Sequence, residues 1–206
     1  MVKVKICGIT DPNDARAAAR LGADALGFNF VPASKRYIGK ERARAIIASM
    51  PPFVTPVGVF ANEAPEKVME ICDYCGIQTV QLHGDEPPQF LDRLSRLKRI
   101  KAIRMGEEED LRQLSRYTCD AFLLDAAVPD LLGGTGKTFN WQWAREASKH
   151  GPIILAGGLT PENVGEAIRI AQPYAVDVAG GVESSPGQKN RTLMAQFIIN
   201  AKSEPT

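Results

Sequence analysis

A cysteine closes the first apolar–polar alternation of this chain, in Lys5-Ile6-Cys7-Gly8-Ile9-Thr10. Val2 to Ile6 alternate as a strand does, Gly8 signals a turn and Thr10-Asp11-Pro12 signals a helix start. A thiol is thus presented at a strand-to-loop junction, where α/β enzymes keep their chemistry. Asp125 holds a similar place, closing the apolar run Phe122-Leu123-Leu124. Partial desolvation there raises a carboxyl toward the range of a general acid. A lone aspartate could equally cap a loop; opposite a thiol at the mouth of a barrel, the catalytic role is preferred. Gly157-Gly158 and Gly180-Gly181 follow two late strand patterns, the second ending Asp177-Val178-Ala179. Paired glycines let backbone N–H groups approach phosphate oxygens closely, and a following helix N-terminus adds partial positive charge. Arg36, in Ser34-Lys35-Arg36, could grip a carboxylate with two hydrogen bonds, or be a solvated surface charge. His83, in Gln81-Leu82-His83-Gly84, is as open to a structural hydrogen bond as to a catalytic role.

Two other patterns carry less. Cys72-Asp73-Tyr74-Cys75 has the spacing of a redox or zinc motif, but it ends a helical pattern and no second pair or histidine pair accompanies it. With Cys119 these thiols read as small apolar residues. Gly133-Gly134-Thr135-Gly136-Lys137-Thr138 hints at a nucleotide loop, but Leu131 stands where its first glycine belongs, so a mobile loop over the mouth is the better reading. The two histidines, His83 and His150, make a histidine-based metal site improbable.

These residues need elements to hold them. Strand patterns cover 2–7, 25–30, 54–60, 79–83, 98–104, 121–125, 153–156 and 175–178, and helical patterns 12–21, 40–49, 65–75, 87–97, 108–117, 141–149, 161–171 and 190–201. Capping signals mark several starts, at Asn62 and at Thr160-Pro161-Glu162. Eight strand–helix units are what a single (β/α)8 TIM barrel over residues 1–206 requires; an open doubly wound sheet has fewer strands. Cys7 and Lys5 then face the interior, as do Leu123 with Asp125 and Ala175 with Asp177. The tail 202–206 is expected to fray. A net charge of +1 argues against a nucleic-acid surface, and no apolar run is long enough to span a membrane. The N-terminus enters a strand directly, with no secretory signal, so a soluble cytoplasmic protein with reduced thiols is expected, a monomer or a homodimer.

As a set, KICGIT at 5–10, GADALGF at 22–28, PASKRYI at 32–38, VGVFAN at 57–62, VQLHGDE at 80–86, LLD at 123–125, GGTGKTFNW at 133–141, LAGGLTPENV at 155–164 and AVDVAGGVESSPGQKN at 175–190 resemble the phosphoribosylanthranilate isomerase family over nearly the whole chain. The resemblance implies a (β/α)8 barrel of tryptophan biosynthesis that uses no cofactor and no metal. It implies an Amadori rearrangement of N-(5'-phosphoribosyl)anthranilate to 1-(2-carboxyphenylamino)-1-deoxyribulose 5-phosphate. Residue by residue, it makes Cys7 the general base and Asp125 the general acid, gives the anthranilate carboxylate to Arg36, and the phosphate to the turns at Gly157, Gly158, Gly180 and Gly181. His83 and Asp177 are expected to complete the substrate site.

The chain departs from the family pattern in places. Ala179-Gly180 replaces an expected pair of serines, so backbone N–H groups must hold the phosphate without hydroxyls. Asn140 stands where an aspartate is usual before Trp141, and can still cap a helix. The loop through Val128-Pro129-Asp130-Leu131-Leu132 is slightly longer than expected. An indole-glycerol-phosphate synthase, a rival reading, would use a lysine and glutamates at strand ends, whereas strand 1 here ends in cysteine; a catalytically dead phosphate-binding barrel would not need Cys7 with Asp125. Lys5, two residues below Cys7, either lowers the thiol pKa or pairs with a carboxylate such as Asp177 deeper in the barrel.

Overall fold

The computed structural model describes residues 1–127 and 138–204. Eight parallel strands close into a barrel in chain order: β1 (Lys3–Cys7), β2 (Ala25–Asn29), β3 (Thr55–Phe60), β4 (Thr79–Leu82), β5 (Lys98–Met105), β6 (Ala121–Ala126), β7 (Ile153–Leu155) and β8 (Ala175–Val178), with β8 pairing back onto β1. The connections carry the helices α1 (Pro12–Leu21), α2 (Lys40–Ile47), α3 (Pro65–Cys75), α4 (Pro88–Asp92), α5 (Trp141–Ala147), α6 (Val164–Ala171) and α7 (Arg191–Ser203). The fold is the expected (β/α)8 barrel. No described helix is long and apolar enough to cross a membrane.

Period-two alternation divides the strands into two cores. Val4, Ile6, Leu26, Phe28, Val80, Leu82 and Val176 face outward and pack under the helices. Val57, Ile100, Ala102, Leu123, Ile154 and Ala175 face inward and fill the lower barrel. Above them the interior turns polar: Lys5, Gln81, Asp125 and Asp177 are all buried, and Lys5 lies in register with Asp177. One end of the barrel is thus packed for stability, and the C-terminal end of the strands carries reactive groups.

The helix ends follow local chemistry. Asp11 caps α1 by accepting from the Asn13 N–H at 2.8 Å, with Pro12 at the first helical position and Gly22 closing the helix at φ 99°. Asn190 caps α7, and Asn140 caps α5 by accepting from the Gln142 N–H at 3.1 Å. Several helix boundaries and one cap differ from the sequence patterns. In 87–97 the buried leucines are Leu91, Leu94 and Leu97, a spacing of three. That spacing suits three residues per turn, and after α4 the chain continues as turns bonded Leu94 N–H to Leu91 O and Leu97 N–H to Leu94 O. Leu111, Leu114 and Tyr117 repeat the spacing, and Glu108–Arg116 is a 3-10 helix. Asn62 does not cap α3; it bonds the Asp85 N–H instead. Helix α7 runs on to Ser203, with Lys202 paired to Asp24, so the tail is helical further than expected.

One element has no counterpart in the sequence patterns. After β8 comes a 3-10 turn over Gly180–Val182, then a hairpin of β9 (Glu183–Ser185) and β10 (Gln188–Lys189). The hairpin is fastened to the β1–α1 connection and to the first turn of α1: the Thr10 hydroxyl donates to Gly187 O at 2.6 Å, and the Lys189 N–H to Asp14 at 2.9 Å.

Candidate active site

Cys7 ends β1 with 8% of its surface exposed, and Asp125 stands one residue from the end of β6 with 6% exposed. Both reach the same end of the barrel. The thiol owes its place to Gly27 on the neighbouring strand, where a Cβ would lie 2.6 Å from Sγ. Gly8, at φ 78°, turns the chain where L side chains rarely go; a Cβ there would also strike the Arg36 side chain at 2.5 Å.

Charges around Cys7 oppose one another. Burial pushes its pKa up, the Lys5 ammonium pulls it down, Asp177 raises it and Lys189 lowers it; the net shift is upward. Lys5 donates to Asp177 Oδ1 at 2.7 Å and to Gln81 Oε1 at 2.8 Å, so the pairing deeper in the barrel is the one realised. Lys5 still acts on the thiol in the expected direction, but burial outweighs it. Burial also lowers the pKa of Lys5 itself, yet the Asp177 carboxylate and Cys7 more than offset this and the ammonium is held.

Asp125 Oδ2 lies 3.3 Å from His83 Nε2, and the other ring nitrogen of His83 is 2.9 Å from Gln81 Nε2. The other carboxylate oxygen, Oδ1, faces Gly157, where a Cβ would come within 3.0 Å of it. Asp125, Asp177 and the glycines 157, 158, 180 and 181 line one cavity of about 300 Å³. Gly157 and Gly158 have φ 80° and 64°. Gly181 packs so closely that a Cβ would sit 2.0 Å from Leu159 O. Asn163 pins the first turn, accepting from the Thr160 N–H at 2.8 Å and donating to Gly158 O at 3.0 Å. That duty explains why α6 starts at Val164 rather than at the predicted Pro161.

Arg36 meets Glu183 in a bidentate pair, Nε to Oε1 at 2.8 Å and Nη2 to Oε2 at 2.6 Å. The Glu183 hydrogen bonds hold the guanidinium pKa up against burial. Burial works to raise the Glu183 pKa, but Arg36 and Lys189 bring it below the usual carboxylate value. Lys189 donates to the same carboxylate at 2.7 Å and to Ala179 O at 3.1 Å. Glu183 thus orients Arg36 through one edge, and the remaining guanidinium N–H groups can face a second carboxylate. Cys72 and Cys75 pack inside α3; burial, then Cys75 and Asp73, push the Cys72 thiol up to about 12, so it is inert.

Every site residue expected from sequence therefore reaches the C-terminal end of the barrel, with Asp177 spent largely on Lys5. The lid expected at 133–138 falls, apart from Thr138, outside the described residues. Sequence reasoning gave no role to Gln81, Gly27, Asn163, Glu183 or Lys189. Gln81 carried a signal, two residues before His83 on an inward strand face. Glu183 and Arg36 lie 147 positions apart, and only the hairpin joins them.

Residues 4–200 match the family model described as N-(5'-phosphoribosyl)anthranilate (PRA) isomerase. The chain is 51% identical over 202 residues to N-(5'-phosphoribosyl)anthranilate isomerase of Geobacter sulfurreducens, covering 98% of this chain and 99% of that one. Its structure is similar to the crystal structure of phosphoribosyl anthranilate isomerase from Thermotoga maritima, with TM-score 0.92, 45% identity, and 98% and 99% of the two chains covered. It is also similar to a crystal structure of the isomerase in complex with reduced 1-(o-carboxyphenylamino)-1-deoxyribulose 5-phosphate, with TM-score 0.88 and 42% identity over 98% and 99% of the chains.

Proposed function

The chain belongs to the N-(5'-phosphoribosyl)anthranilate isomerase family, and from that membership we propose that it carries out the Amadori rearrangement of N-(5'-phosphoribosyl)anthranilate, with Asp125 as general acid and Cys7 as general base. The observation that carries this reading is the shared cavity. Asp125 and the four glycines of the two late turns line it together, and Cys7 ends β1 at the same mouth. A sugar phosphate anchored on the glycine turns would lay its ring against the carboxyl.

The steps balance as an isomerisation. Asp125 gives its proton to the furanose ring oxygen, the C1–O bond breaks and an iminium forms at C1. That cation acidifies the hydrogen on C2. Cys7 as thiolate takes it, and the electron pair flows into an enolamine, which tautomerises to the ketone. Burial opposes the thiolate, and the Lys5 and Lys189 ammonium groups favour it; the iminium, a positive charge formed beside Cys7, favours it further. Arg36, braced by Glu183, would hold the anthranilate carboxylate.

The test is turnover of N-(5'-phosphoribosyl)anthranilate, followed by loss of its fluorescence, with chromatographic identification of the product. The expected product is the 1-deoxyribulose 5-phosphate. Unchanged substrate, or consumption of that ketose instead of its formation, would refute the reading.

A further inference from the structure

A chain of side chains crosses the barrel from β1 to β6, and its chemistry fixes the direction of every donor in it. Lys5 is an ammonium and can only donate, so the end of the Gln81 amide that meets it, at 2.8 Å, must be the carbonyl oxygen. The other end of that amide is then an NH2 group, and it lies 2.9 Å from His83 Nδ1. An NH2 can bond a ring nitrogen only if that nitrogen carries a lone pair. The ring proton of His83 therefore sits on Nε2, and a doubly protonated ring would set donor against donor at Nδ1. Among the described residues, Nε2 is buried and has no well-aligned hydrogen-bond partner; its neighbour is Asp125 Oδ2 at 3.3 Å. Catalytic hydrogen bonds that are long or poorly aligned in a free enzyme tighten in its complex with substrate.

We propose that Gln81 is a positioning residue: it sets the tautomer of His83, and through it places the proton of Asp125 on Oδ1, the oxygen that faces the glycine-lined cavity. The Nε2–H occupies the Oδ2 side, so a proton on Oδ2 would meet another proton. On Oδ1 it points toward the cavity, where the ring oxygen must receive it. As the proton leaves, the Nε2–H is in place to stabilise the carboxylate that forms, with no rearrangement of the site. Lys5 contributes by holding the Gln81 amide the right way round, a role separate from its effect on Cys7. The inference rests on the reading of Asp125 as the acid.

Gln81→Glu tests it. A carboxylate of the same length can only accept, from Lys5 and from the ring, so Nδ1 of His83 must carry a proton. The Asp125 proton is then drawn toward Nε2, on the Oδ2 side and away from the cavity. The chain has two histidines, His83 and His150, so nitrogen NMR of 15N-histidine-labelled protein with a His150→Gln control reads the tautomer directly. The expected results are a proton on Nε2 alone in the parent enzyme and on Nδ1 in Gln81→Glu. In that variant kcat should fall about 10²-fold, the size of a general-acid contribution, with KM within a few-fold. A His83 ring protonated on Nδ1 or on both nitrogens in the parent overturns the proposal, whether or not the variant folds. So does a variant whose tautomer is unchanged, or whose tautomer shifts while kcat holds. Failure of the acid reading looks different: normal turnover in Asp125→Asn with the His83 tautomer as stated.

Discussion

At the scale of the residue, Cys7 shows how burial and charge compete for one proton. Two cations, Lys5 and Lys189, pull it down, yet removal from water outweighs them and its pKa rises. Only the thiolate is alkylated, so alkylation of Cys7 followed by peptide mass spectrometry should speed up with pH to a midpoint above that of an ordinary thiol. In Lys5→Met the midpoint should move further up, because a charge that lowers it is gone while Asp177, which raises it, remains. A Cys7 midpoint at or below that of free cysteine would contradict this balance. Cys7 and Asp125 were legible in the sequence because a polar residue ending an apolar strand is a local pattern. Glu183 was not: its partner Arg36 is brought to it by closure of the barrel and the β9–β10 hairpin, which no local pattern encodes.

At the scale of the element, strand order and strand glycines position the chemistry. Gly27 on β2 is the clearest case, since its missing side chain is the space the thiol occupies. Gly27→Ala should push Cys7 off its position by a substantial fraction of an ångström and lower kcat roughly 10²-fold, the typical cost of an ångström-scale misplacement. KM should change little, because the glycine-lined cavity is built by β7 and β8. Steady-state kinetics of that variant decide it; an unchanged kcat would mean the thiol position does not matter. The strands were read well from alternation, as an inward and an outward face were both required by one barrel. The helices were read less well where leucines recur every third residue, because apolar spacing reports one buried face without choosing between α and 3-10 turns.

At the scale of the whole molecule, the mouth is built on a buried ion pair outside the barrel. Lys101 Nζ lies 2.8 Å from Glu86 Oε2, and both side chains are at most 2% exposed. Glu86 also accepts from the Asn62 and Gly84 N–H groups, and Lys101 donates to Gly84 O at 2.7 Å. The pair thus ties the loops after β3 and β4 to β5, next to His83. Lys101→Met leaves a carboxylate buried and unpaired, and should cost about 3–5 kcal/mol in denaturant unfolding. Lys101→Met with Glu86→Gln, which removes the stranded charge, should recover part of that loss. A single variant as stable as the parent would show that the pair does not organise the mouth. The sequence pattern pointed to the barrel as a whole, but Glu86 and Lys101 read there as ordinary surface charges, because only the packed loops make them interior.

The central claim is that Asp125 delivers a proton and Cys7 removes one. The most direct measurement is kcat for N-(5'-phosphoribosyl)anthranilate, followed by fluorescence, in Asp125→Asn and Cys7→Ala variants shown by circular dichroism to be folded. Each should lose at least ~100-fold in kcat, the ordinary contribution of general acid–base catalysis, while still binding the substrate through the glycine-lined cavity. Turnover at the parent rate in either variant would contradict the assignment of that residue.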